Sequence, residues 1–333
     1  MSETNSNLMQ EAFIEMLRTA LPPNHSLVNE LSDLLDISTD SSYRRIRCET
    51  EFTLSEIVKL SGHFHISFDG LCAAETGTVH FRYNLLDQKP ESLRKYLESI
   101  RNDLRHIHDA RERNVIYAAE DIPLFYLFLV PGLAHFKFFY WMKSVLNVPE
   151  LENMKYKPEF ASDLIGDLGK EILDLYMGVP SVEIWNDTTI SSLLKQIEFY
   201  HESGLFNTTG EAMQVCEDLL SLLGHIQKMA ETSSKSGKEG VARNFTLYNS
   251  DVDIGNICIL AKAGKSRFVF IRHSTFNTLV TSNPVFCSET EQWLEGLLIK
   301  STLISGVSEK HRNRFFRTIS TRVGKLNEKI SQQ

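Results

Sequence analysis

Three guanidinium groups fall within four residues at Arg44, Arg45 and Arg47, just after a run of hydroxyl and carboxylate side chains, Ser38 to Ser42. A guanidinium fork matches guanine O6/N7 in a major groove, and it matches phosphate oxygens equally well. The same residues could instead form a solvated helix face. A second basic run, Glu309 to Lys329, carries Arg312, Arg314, Arg317, Arg322, Lys325 and Lys329 over an apolar stripe of Phe315, Phe316, Ile319, Val323 and Leu326. A docked C-terminal helix is the plainer reading. A second contact with phosphate or an anionic ligand through Arg312, Arg314 and Arg317 is the sharper one.

Other reactive residue types are present without a reactive pattern. His63/His65 and His106/His108 are two apart, not the four that place two ligands on one helix face, and no Cys or Glu completes either set. Glu120 and Asp121 are adjacent, so they point to different sides of a strand or helix and make a poor acid/base pair. The run SSKSGKEG lacks the spacing of a phosphate-binding loop. The five cysteines are scattered, with no CxxC pair. The expectation is a protein that is not an enzyme and holds no metal and no cofactor.

The elements needed to position the arginines follow from spacing. NLMQEAFIEMLRTAL places apolar residues on one stripe and is stopped by Pro22-Pro23. Leu27, Leu31, Leu34 and Leu35 form a second helix behind Ser26 as N-cap. The short break Asp36-Ile37-Ser38 leads into a helix from Thr39, with Asp40 at its positive end. There Tyr43 and Ile46 are expected to face inward, and Ser41, Arg44, Arg45 and Arg47 outward. Thr53 and Glu56 form a capping box for the next helix. Five short helices in about 70 residues, closed by HISFDGLC, read as a self-contained α-domain.

Two helices joined by a tight turn, the second bearing base-edge donors, describe a helix-turn-helix. The stretch LVNELSDLLDISTDSSYRRIRCETEFTLSEIVKLSGHFHISFDGL resembles the N-terminal domain of phage-repressor-like bacterial regulators of the Xre or BetR type. The match spans about residues 8–72. The resemblance implies that Thr39 to Arg47 is the recognition helix, that Ser41, Arg44 and Arg45 face the groove, and that Arg47 meets the backbone. The candidate DNA contacts are Thr39, Ser41, Ser42, Arg44, Arg45 and Arg47. In this sequence Cys48 stands where the pattern has Gly, and Asp36 replaces a small turn residue.

Beyond Gly77 the pattern changes. TVHFRYNLL alternates as a strand, and PESLRKYLESIRNDLRHIHDA is an amphipathic helix. RNVIYAAEDIPLFYLFLV supplies one or two strands. Residues 132 to 228 read as mostly helical, 231–240 as a flexible loop, and AGKS as a hairpin turn between β-prone runs. ETEQWLEGLLIKSTLIS and EKHRNRFFRTISTRVGKLNEKI are closing helices. The expected fold class is therefore multi-domain. An all-α helix-turn-helix domain at 8–74 precedes a mostly helical α+β domain at 78–333, with a small antiparallel sheet, for dimerisation and sensing.

The apolar run Ile122 to Met142 has the length of a membrane span, but Pro131-Gly132 splits it and His135 and Lys137 enter it, so no membrane is expected. A net charge of −8 excludes a nonspecific nucleic-acid coat, though not a locally basic reading module. The expected protein is a cytoplasmic, repressor-like transcriptional regulator. Its partners are double-stranded DNA, a second copy of itself, and a small-molecule or protein effector. A protein-interaction scaffold or adaptor without DNA binding is the alternative.

Overall fold

The computed structural model describes residues 3–21, 25–64, 66, 77–238, 240–274 and 277–332. The chain divides into two compact units, Met1–Phe81 and Arg82–Gln333.

The first unit contains α1 (Glu3–Ala20), α2 (Leu27–Leu35), α3 (Thr39–Ile46) and α4 (Leu54–Phe64). Its core is Phe13, Ile14, Leu17, Leu27, Leu31, Phe52 and Leu60. The periodic residues of α1 and α2 supply most of these, as their 3.6-residue spacing requires. The α2–α3 corner turns on Asp36 in the left-handed conformation, φ 55°. The backbone N–H of Ile37 donates to Ser32 O, closing the end of α2. Ser38 caps α3, its Oγ accepting from Ser41 N at 3.2 Å. The capping box forms reciprocally: Glu56 N donates to Thr53 Oγ1 at 3.3 Å and Thr53 N to Glu56 Oε2 at 2.8 Å. Gln10 of α1 ties the loop after α3, donating to Arg45 O and Thr50 O and accepting from Phe52 N. The expected closing segment HISFDGLC lies, apart from Ile66, outside the described residues.

The second unit is built on one eight-stranded mixed sheet, in the order β1-β7-β6-β5-β2-β3-β4-β8. The strands are β1 (Arg82–Tyr83), β2 (Arg113–Ala118), β3 (Ser181–Trp185), β4 (Phe245–Ser250), β5 (Cys258–Ala263), β6 (Ser266–His273), β7 (Asn277–Thr281) and β8 (Ser301–Leu303). β2, β3 and β4 are parallel, while β5, β6 and β7 form an antiparallel meander joined to β2. The β5–β6 turn is Gly264-Lys265, with Gly264 at φ 59°, which is the AGKS hairpin.

The helices of this unit are α5 (Glu91–Asp109), α6 (Leu124–Leu127), α7 (Pro131–Tyr140), α8 (Ser162–Leu164), α9 (Lys170–Met177), α10 (Ser191–Glu202), α11 (Thr209–Thr232), α12 (Pro284–Ile299) and α13 (Glu309–Ser331). π-helical turns extend α7 over Trp141–Val145 and join α8 to α9 over Ile165–Gly169. Alternation along β2 sends Val115 and Tyr117 to the large core beneath most of the helices. It sends Ile116 and Ala118 to a smaller core, shared with Leu294 and Leu297 of α12.

The expected fold class is corrected by this sheet. Helices occur in both units, and the sheet of the second unit is large and mixed. This is not an all-α domain followed by a helical one with a small antiparallel sheet. β3 escaped detection because Glu183 interrupts its apolar run, and β8 because it continues the apolar run of α12. PLFYLFLV, expected as a strand, forms α6 and the turn into α7. Phe125, Tyr126 and Leu127 are all buried, so the segment has no polar face to reveal its period. In the segment expected as a flexible loop, Ser234 and Lys235 are 1 % exposed.

Candidate functional site

The α3 helix sorts the candidate DNA contacts into two sets. Thr39, Asp40, Tyr43, Arg44 and Arg47 are exposed, at spacings that form one continuous stripe. Arg44 is 61 % exposed and pairs with Asp40 at 3.2 Å. Arg47 is 63 % exposed, lies 5.6 Å from the Tyr43 ring centroid, and is 3.6 Å from Glu49. Solvated pairs of this kind are worth little and exchange easily for phosphate. Ser41 is half-buried near the N-terminus of α3.

The other set faces inward. Ser42 is fully buried, its hydroxyl 2.9 Å from that of Ser32 on α2. The Arg45 side chain, 13 % exposed, gives Nη2 to Glu56 Oε1 at 2.8 Å and Nε to Oε2 at 3.3 Å. Arg45 therefore clamps α3 to α4 and is not a groove residue in this arrangement. Tyr43, expected inward, points out. The buried set is Ser42, Arg45 and Ile46, one helical turn, and the ion pair with Glu56 decides it. Burial pushes the Glu56 carboxyl up, but hydrogen bonds from Arg45 and Thr53 outweigh it and leave the group below the ordinary glutamate range.

The second basic cluster divides similarly. Arg312 is buried and donates to Gly306 O at 2.8 Å, so it is structural. Arg314 and Arg317 are exposed on α13. Lys329 pairs with Glu198 and Glu202 of α10 at 2.6 and 2.8 Å, and Arg322 donates to Ser191 Oγ. The apolar stripe docks α13 on α11 as expected. Among the described residues no group of three or more His, Cys, Asp or Glu could hold a metal, and no helix is long and apolar enough to cross a membrane. His65 lies outside the described residues.

Two polar assemblies inside the second unit were not expected from sequence. In the first, Glu183 of β3 is fully buried and accepts from Tyr126 Oη at 2.5 Å, Tyr176 Oη at 2.7 Å, Trp185 Nε1 at 3.0 Å and Ser181 Oγ at 3.2 Å. Nearby, Lys235 Nζ donates to Tyr176 O and Val179 O at 2.8 and 2.7 Å and lies 3.5 Å from the Tyr176 ring centroid. Burial lowers the Lys235 pKa to about 7, against the opposing pull of Glu183.

The second assembly borders a cavity of about 110 Å³ between the sheet and helices α5, α6 and α7. Its walls are mostly apolar, among them Ile100, Leu104, Ile259 and Phe270. Asp121, three residues past β2, accepts from Lys137 Nζ at 3.0 Å and from Ile122 N at 2.9 Å. Arg272 pairs with Glu120 beside it. Adjacency had argued against Glu120 and Asp121 acting together, and each indeed serves a different cation.

No family model, no curated protein and no solved structure matches the chain.

Proposed function

We propose that the chain is a sequence-specific DNA-binding transcriptional regulator acting in the cytoplasm as a homodimer. In this reading α3 enters the major groove, and the unit Arg82–Gln333 sets oligomeric state and answers an effector. The observation that supports it is the exposed stripe Thr39-Tyr43-Arg44-Arg47 on the second helix of a tight helix–turn–helix corner. The corner presents hydroxyl, aromatic and guanidinium donors on a helix held rigidly from behind by Arg45–Glu56 and Gln10. One such helix makes few contacts, so useful specificity calls for two half-sites and a dimer.

A specific observation favours a second reading. Leu54 and Val58, one turn apart on α4, are 76 % and 65 % exposed. An apolar pair beside α3 suits an adaptor that binds a protein instead of DNA.

The test is mobility-shift binding of the full chain to fragments of its own promoter region and to genomic fragments, at several salt concentrations. Arg44→Ala and Arg47→Ala are each expected to weaken binding about 5- to 150-fold, the span of about 1–3 kcal/mol for a lost guanidinium contact. A residue that meets phosphate should also lower the salt slope by about one. Sequence-selective binding that survives both substitutions would remove α3 from the interface. Absence of selective binding by the wild type across all fragments would leave the adaptor reading.

A further inference from the structure

The cavity beneath β2, β5 and β6 contains more hydrogen-bond donors than the protein uses. Lys137 is 4 % exposed; its ammonium donates to Asp121 Oδ2 and lies 5.9 Å from the Trp141 ring centroid, and no second oxygen acceptor meets it among the described residues. Tyr117 is 3 % exposed and lines the same cavity. Its ring packs edge-on against Phe125, and its hydroxyl makes no hydrogen bond among the described residues. Burial, and then the nearby carboxylates Glu183 and Asp121, hold that hydroxyl protonated, with Arg272 opposing. The hydroxyl is open to the cavity and Lys137 keeps donor capacity beside it, so an acceptor that enters, water or a ligand, meets both.

The charged groups lining the cavity are already paired: Lys137 with Asp121, Arg272 with Glu120, and Asp103 with Arg82. An added anion would bring uncompensated charge against mostly apolar walls, which is costly. A neutral acceptor carries no such cost. The cavity, about 110 Å³ and partly open to solvent, is of the order a small ring compound needs, since an engineered closed cavity of about 150 Å³ takes benzene. The π-helical turn at Trp141, which also lines the cavity, is a distortion found frequently at functional sites.

We infer that this cavity is a binding site for a small, neutral, largely apolar carbonyl compound, its oxygen accepting from Lys137 Nζ and Tyr117 Oη and its hydrocarbon part lying among Ile100, Leu104, Ile259 and Phe270. The binding itself is independent of the DNA reading. That occupancy changes DNA affinity rests on it.

The experiment is a ¹H–¹⁵N titration of the full chain with cyclopentanone and cyclohexanone, beside cyclohexane and pentanoate. The ketones are expected to perturb residues around the cavity saturably, with pentanoate at least tenfold weaker. Tyr117→Phe keeps the ring and removes the hydroxyl, and should weaken ketone binding about 5- to 10-fold. Asp121→Asn/Lys137→Gln neutralises both charges while keeping hydrogen-bonding groups, so the fold is kept, and should weaken it at least as much. Cyclohexane should gain nothing from the polar groups and bind all the variants alike. No saturable binding of either ketone would make the cavity a void or a water site and overturn the inference. Cyclohexane matching cyclohexanone, or both variants matching wild type, would remove the polar end from the site. Pentanoate binding tighter than the ketones would overturn the neutral assignment. Repeating the DNA titration with ketone present separates the two readings. Ketone binding without DNA binding sinks only the regulator, and DNA binding without ketone binding sinks only this site.

Discussion

Arg45 shows how little a side chain's type says about its task. Three arginines stand in one short segment, and two of them, Arg44 and Arg47, reach solvent, while the third is spent on Glu56. The partition follows from helix phase, since Ser42, Arg45 and Ile46 share the face that α2 and α4 cover. Arg45→Ala would leave a half-buried carboxylate with a lost partner and should destabilise the first unit by about 1–3 kcal/mol. Arg44→Ala should cost within about 0.5 kcal/mol, as for other exposed sites. Urea unfolding of the two variants checks this, and equal midpoints would show that the Arg45–Glu56 contact contributes nothing. The Glu56 carboxyl, held below its ordinary value, adds stability that is present at neutral pH and fades as pH falls through the carboxylate range. Arg45 variants should show a smaller loss on acidification.

At the scale of elements, both departures from the repressor-like pattern fall where the backbone is left-handed. Asp36 has φ 55° and Cys48 φ 59°, at the two ends of α3. A residue with a Cβ pays about 1–2 kcal/mol in that conformation, and glycine does not. Cys48→Gly and Asp36→Gly should each stabilise the unit, offset in part by the extra freedom glycine has when unfolded, leaving a net gain of about 0.5–1 kcal/mol. Thermal melts would show the rise in midpoint, and a drop at either site would mean that the side chain there makes contacts worth more than its strain. The helix-forming stretches were legible because their apolar residues recur at 3.6. The capping box of α4 was legible because Thr53 and Glu56 are three apart. PLFYLFLV was not, because a fully buried element has no polar face.

The whole molecule decides the behaviour of Lys235. The end of α11 and the entry to β4 carry it beneath the Tyr176 ring, where two carbonyls accept from its Nζ. Its pKa is about 7 when folded and 10.5 as the ordinary value. Between those values the unfolded chain holds a proton that the folded one lacks, so stability rises with pH across that window. Below about pH 7 both states are protonated and the contribution is flat. Lys235→Met should remove this rise, so that unfolding midpoints of wild type and variant draw apart between pH 7 and 10. Parallel curves would show that Lys235 keeps its ordinary pKa in the fold. The sequence by itself determined the helices of the first unit, the tight α2–α3 corner, the β5–β6 hairpin and the docking stripe of α13, because each rests on neighbours a few residues apart. Tertiary structure alone decided the eight-stranded sheet, the loss of Ser42, Arg45 and Arg312 from the exposed surface, and the cavity that Lys137 and Tyr117 line. The sheet and the cavity depend on residues more than a hundred positions apart, such as Tyr117 with Ile259 or Glu120 with Arg272, and the hidden side chains on partners outside their own helices. No local period records such meetings.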